Sequence, residues 1–145
     1  MAPLVFCWGG HHQKCGATAR VVSVEMPVEK LDAGDDVLRE FAVRLKKSIR
    51  GIDLACRYGG EEFVVVMPDT DMAVATMVAE RLRRRIAAEP FAICKGQSSV
   101  QVTISIGLAA LGQPDDTATN VLKRADQALY RAKRDGRNRV VADAA

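Results

Sequence analysis

Residues 54–67 read Leu-Ala-Cys-Arg-Tyr-Gly-Gly-Glu-Glu-Phe-Val-Val-Val-Met. Two strand-like runs, 54–58 and 61–67, flank Gly59-Gly60, a pair that accepts the positive φ angles of a two-residue hairpin turn. The pattern predicts a β-hairpin with two adjacent carboxylates, Glu61 and Glu62, just past its tip. Consecutive strand residues point to opposite faces, so only one of the two faces a given site. Glycines let a bulky ligand approach the backbone closely. A carboxylate beside them is a hard oxygen ligand suited to Mg²⁺ held jointly with substrate phosphates. Taken alone, the same residues are also ordinary solvated hairpin chemistry.

Outward from the hairpin, apolar periods switch between helix and strand values at cap and turn signals. Ahead of it, Val37, Leu38, Phe41, Ala42, Leu45 and Ile49 recur at three and four, a helix with Gly34 or Asp35 as its N-cap. Behind it, Pro68-Asp69-Thr70 stops the strand and caps a second helix whose inner stripe is Val74, Met77, Val78, Leu82 and Ile86. Pro90 closes that helix. Residues 91–94 and 100–111 read as strands around Lys95-Gly96, and Val102, Ile104, Ile106 and Leu108 alternate with Thr103, Ser105 and Gly107, so one face is core. A last helix, about 119–135, turns Leu122, Ala125, Leu129 and Ala132 inward and ends at Gly136, where glycine suits the left-handed position after a helix. Val140-Val141 adds a short edge strand. The succession implies an α/β (α+β) sandwich, one mixed central sheet with helices on its faces.

The chain has 145 residues, 21 Lys and Arg against 18 Asp and Glu, and a formal charge of +3. That balance gives no case for nucleic acid or membrane. Basic residues crowd 81–85 and 123–139, compatible with a phosphate-rich small ligand or with solvated helix faces. No apolar run reaches the roughly 18 to 20 residues of a membrane helix and the start has no secretory leader pattern, so a soluble cytoplasmic chain is expected. Of the cysteines, Cys56 and Cys94 fall in strand-like runs as reduced, structural thiols.

The string from Arg57 to Phe63 resembles the motif that names the GGDEF family, in its Gly-Gly-Glu-Glu-Phe variant. The flanks agree: Gly34-Asp35-Asp36-Val37-Leu38 ahead, Val102-Thr103-Ile104-Ser105-Ile106-Gly107 behind, and the run 125–133 before Gly136-Arg137-Asn138. The wording is most similar to the family's response-regulator members. This resemblance implies a nucleotide-cyclase, polymerase-palm-like fold and a diguanylate cyclase that joins two GTP into cyclic di-GMP with release of pyrophosphate. It also implies Mg²⁺ as cofactor, a homodimer with one GTP on each chain, and receiver domains in a longer parent protein. By the same resemblance Glu61 binds the metal, Glu62 holds the motif's fourth position, and Gly59 and Gly60 let GTP lie over the hairpin. Asp35 bonds the guanine, and Lys133 with Arg137 holds the β- and γ-phosphates. For that last pair the alternative is a basic helix end facing the helix dipole. Arg50-Gly51-Ile52-Asp53 matches the family's product-inhibition site, with Arg81 as its secondary contact; the alternative is a salt bridge at a helix end. A non-catalytic cyclic di-GMP-binding module using these three residues is the competing function.

The chain departs from the family before Ala33. Lys30-Leu31-Asp32 stands where the family reads Gly-His-Asp, Met26 occupies the expected Asn position, and the first metal-binding Asp is absent. Losing one of two carboxylates weakens a Mg²⁺ site, so catalysis is expected to be impaired. Residues 1–31 are taken as a non-family segment produced by a frameshift or false start, and 32–145 as a partial, N-terminally truncated domain. A zinc site from Cys7, His11 or His12, and Cys15 is the competing reading of that segment. The β-prone run 19–25 is the one available substitute for the missing central strand, with the Asp35 helix as crossover and Glu25 near the place of the lost Asp.

Overall fold

The computed structural model describes residues 20–25, 34–58, 60–112 and 116–143, the first of these segments by its backbone only. Strand β1 (Arg20–Glu25) is followed by helix α1 (Gly34–Ser48), the hairpin β2 (Leu54–Arg57) and β3 (Glu62–Met67), and helix α2 (Met72–Ala88). Then come β4 (Phe91–Ile93), β5 (Ser98–Val100), β6 (Ser105–Ala110), helix α3 (Ala118–Arg134) and β7 (Val140–Ala142). The main sheet has the order β2-β3-β1-β6-β7. β1 runs antiparallel to both its neighbours, and β7 lies parallel to β6. The β-prone run thus forms the central strand, and α1 is the crossover from it to β2. The mixed sheet is as expected.

Period-2 alternation in β3 divides the core. Phe63, Val65 and Met67 pack with Val37, Phe41 and Leu45 of α1 and Ala75, Ala79, Leu82 and Ile86 of α2. On the opposite face, Val64 packs with Ala109 of β6 and with Val121 and Ala125 of α3. The sheet is therefore covered on both sides. No helix among the described residues is long and apolar enough to cross a membrane.

Several expectations are corrected. The inner stripe of α2 is Ala75, Ala79, Leu82 and Ile86, while Val74 and Met77 are exposed, because small alanines allow the helix to lie close to its neighbours. Its N-cap is Asp71, whose carboxylate accepts from the Val74 N–H at 2.8 Å. In α1, Ala42 is exposed. The long strand 100–111 is divided: β5 pairs with β4 in a separate two-stranded sheet, and only 105–110 joins the main one. Nor is one face of β6 solvated. Ser105 and Gly107 are buried as well as Ile106 and Leu108, with α3 covering the second face. In α3, Val121 and Ala128 are buried and Leu122 only half so. Cys94 is exposed in a 3-10 turn rather than packed in a strand.

Candidate active site

The hairpin pairs Arg57 with Phe63, and the Tyr58 N–H donates to the Glu62 carbonyl at 2.8 Å. This register leaves three residues in the reversal instead of two, so Glu61 belongs to the turn and β3 starts at Glu62. Gly59 lies outside the described residues. The Arg57 guanidinium returns to the tip, its Nε donating to the Gly60 carbonyl at 2.9 Å. A Cβ on Gly60 would meet no atom within 4 Å, so the space over the turn is open to a ligand.

Glu62 has the parity of Val64 and faces α3. Burial pushes its carboxyl above the usual range, and the charges of Asp126 on α3 and of Glu61 push it further. The Glu62 carboxylate therefore feels the negative charge of both neighbours, a setting in which a nearby cation is favoured. The register sets Glu25 opposite Glu62 on one side and Ser105 on the other; its side chain is outside the described part, as are Cys7, His11, His12 and Cys15.

Seven residues after Asp126, about 10.5 Å along the same helix face, stands Lys133. Burial lowers the affinity of its ammonium for a proton and the charge of Arg137 lowers it again. A Schellman motif ends α3. The Arg137 N–H donates to Ala132 O at 2.9 Å and the Gly136 N–H to Lys133 O at 3.3 Å, with Gly136 at φ +120°.

Between α1 and the hairpin runs a groove of about 830 Å³ lined by Asp35, Arg39, Lys46, Arg50, Asp53 and Arg57, among others. Asp35 is exposed in the first turn of α1. Arg50 lies just beyond α1, which ends at Ser48. Its guanidinium meets the Asp53 carboxylate at 2.9 Å, and its backbone N–H donates to the same carboxylate at 2.7 Å. The Asp53 side chain is fully buried. Arg81 lies on a separate hollow of α2 with Met77 and Arg84, but its guanidinium donates to Ser48 O at 3.2 Å, close to Arg50. The structure thus sets Glu61 and Glu62 at the tip with the charge of Asp126 acting on Glu62, Lys133 in the last turn of α3 with Arg137 just after it, and Arg50 and Asp53 in the groove with Asp35. The sequence reading did not single out Asp126 or Arg57. The i, i+7 relation of Asp126 to Lys133 was the signal for the first.

The sequence profile of the GGDEF domain, described as diguanylate cyclase, matches residues 31–139. The chain belongs to the GGDEF family. It is 54% identical over 114 residues to the response regulator PleD of Caulobacter vibrioides, a match covering 79% of this chain and 25% of PleD. With diguanylate cyclase A of Treponema denticola it shares 44% identity over 108 residues, covering 74% of this chain and 29% of the relative. The chain therefore spans about a quarter of the length of these relatives. Among solved structures, the GGDEF domain of DgcB from Caulobacter crescentus in complex with c-di-GMP superposes with a TM-score of 0.81 at 28% identity, covering 90% of this chain and 80% of DgcB's. The active GGEEF domain of a Vibrio cholerae diguanylate cyclase gives 0.78 at 30% identity, covering 88% and 84%. The GGDEF fold, with its cyclase-palm architecture, is that of this chain.

Proposed function

We propose that this domain condenses two GTP molecules, one on each of two copies, into cyclic di-GMP with loss of two pyrophosphates. The observation that carries the reading is the hairpin tip. Space is open over Gly60, the groove beside the hairpin bears Asp35, and α3 carries Asp126 and Lys133, with Arg137 just past its end. Asp35 accepts from guanine nitrogens, and Gly59 and Gly60 pass the nucleotide over the turn. Lys133 and Arg137 hold the β- and γ-phosphates and offset the charge that grows on pyrophosphate as the 3′-hydroxyl of the other GTP attacks the α-phosphate. Each attack forms one P–O bond and breaks the bond to pyrophosphate, and the hydroxyl proton leaves to solvent or a base.

The donor set fits Mg²⁺. Among the described residues no group of three metal-ligating side chains gathers, but Mg²⁺ bound with a nucleotide takes only one or two carboxylates. Glu61 would hold it, and Glu62 and Asp126 add to the negative field. When bound, the ion neutralises phosphate charge. Arg50, Asp53 and Arg81 form a product site in this reading, and receiver domains supply the regulatory input in a longer parent. Support comes from the DgcB domain, solved with c-di-GMP, and from the response-regulator relative.

Turnover is weaker here than in family members that carry the first metal-binding Asp, which this sequence lacks. The test compares this chain with a form in which the family's first strand and its Asp replace residues 1–31, both assayed by chromatography with GTP and Mg²⁺. The restored form should make cyclic di-GMP and lose it on Glu61→Gln. No product from the restored form refutes the cyclase reading, and equal turnover by the two refutes the impairment.

A further inference from the structure

We propose that Arg83 of α2 is a positioning residue for the nucleotide's terminal phosphates, because it holds the turn that presents Arg137 beside Lys133. This rests on the phosphate role given to that pair above. Arg137 and Asn138 are consecutive non-glycine residues at φ +62° and +46°, the left-handed region that side chains with a Cβ avoid and that asparagine tolerates better than arginine. Such a conformation persists only where its surroundings over-determine it.

The determinants are visible. The Schellman bond fixes the entry to the turn. Arg139 Nε donates to Arg137 O at 3.1 Å, and the Ile106 N–H donates to Arg139 O at 3.0 Å, which ties the exit to β6. From the other helix, Arg83 Nη1 donates to Asn138 Oδ1 at 2.9 Å and reaches its backbone oxygen at 3.5 Å. Arg83 is itself oriented by Glu80, which accepts from Nε at 3.2 Å and Nη2 at 3.0 Å, and its side chain is only 19% exposed. A guanidinium fixed in plane by one carboxylate and aimed at the middle of a left-handed pair differs from a solvated arginine. Releasing Asn138 lets the turn relax towards ordinary φ values, which swings Arg137 away from Lys133. The charge of Arg137, after burial, lowers the proton affinity of Lys133, in keeping with the two acting on one ligand.

The experiment measures GTP and GMP binding calorimetrically on the chain and on Arg83→Ala, Arg137→Ala and the double variant, with circular dichroism and amide hydrogen exchange at residues 136–139. The parent should prefer GTP over GMP. Arg83→Ala should lower that preference about tenfold, within the usual range of coupled neighbours, and accelerate exchange in the turn. Adding it to Arg137→Ala should lower the preference no further. Should Arg83→Ala fail to fold, Asn138→Ala removes the same acceptor while keeping the Cβ that disfavours positive φ, and it carries the same expectation. A parent that discriminates while Arg83→Ala and Asn138→Ala discriminate equally well overturns the positioning role, as do fully additive losses in the double variant. A parent that binds GTP no better than GMP overturns instead the phosphate role of Lys133 and Arg137, and this proposal with it.

Discussion

Among the described glycines, Gly107 leaves the least room for a side chain, which makes Gly107→Ala a demanding substitution. A Cβ at this position of β6 would lie 2.2 Å from the Ala125 carbonyl oxygen, 2.4 Å from the Leu129 nitrogen and 2.9 Å from its Cα. All three are backbone atoms of α3, so no side-chain rotation relieves the overlap. With ordinary separations of about 3.5 Å, the helix must retreat by roughly 1 Å. That retreat loosens Val121, Ala125, Ala128, Leu129 and Ala132, which α3 buries, and a gap of that size forfeits about a quarter to a half of each contact's attraction. Overpacking against side chains costs about 1–3 kcal/mol; with backbone on one side, about 3 kcal/mol or more is expected. For a chain of this length that lowers the melting temperature by about 10 °C. Thermal unfolding followed by circular dichroism measures it. A variant that melts within about 2 °C of the parent would show that α3 does not sit on β6 as closely as described, and the placement of Asp126 and Lys133 would fall with it.

Two other perturbations read different parts of the chain. Asp53→Ala removes a buried acceptor from the Arg50 N–H, a loss of about 2 kcal/mol visible as an earlier urea midpoint, with Asp53→Asn losing less; an unchanged midpoint refutes the structural role of the pair. In alkylation followed by peptide mass mapping, exposed Cys94 should label before Cys56, whose thiol is pushed up by burial despite a backbone hydrogen bond from Val64. The Cys56 rate should climb with pH, and faster labelling of Cys56 at neutral pH overturns its half-buried placement.

The hairpin and α3 were legible because their signals are local: a Gly-Gly tip between β-branched runs, and a strongly periodic helix closed by Gly136. What escaped was carried by small residues. Ala75 and Ala79 bring α2 against its neighbours, yet hydrophobicity alone selects Val74 and Met77, which the structure leaves exposed. Gly107 reads as the polar side of an alternating strand until α3 is seen lying on it. Glu61 was placed in the strand because two glycines suggest a two-residue turn, whereas the register is centred on Gly60. Asp126 was hidden among helix-surface charges, and its value depends on Glu62 across the sheet, a pairing that only the tertiary fold creates.

The observed ion pair of Arg50 and Asp53 is compatible with the product site proposed for the same residues. The Asp53 carboxylate is buried and fully engaged by Arg50: its oxygens accept from the backbone N–H and from Nε and Nη2. Nη2 also donates to Pro68 O at 3.0 Å and to Thr70 Oγ1. Both nitrogens on that side of the guanidinium are thus committed inward, while the side chain as a whole is 44% exposed. The outward edge, with Nη1, is the part able to meet a planar base or a phosphate from the groove. In the product-site proposal, Asp53 would act on a ligand through Arg50, by fixing the guanidinium plane before the ligand arrives and so reducing the ordering cost of binding. Arg50→Lys keeps the charge but gives up the planar fork that ties Asp53, Pro68 and Thr70 together. It should therefore weaken binding of a cyclic dinucleotide by about as much as Arg50→Ala does, an outcome that charge alone does not produce.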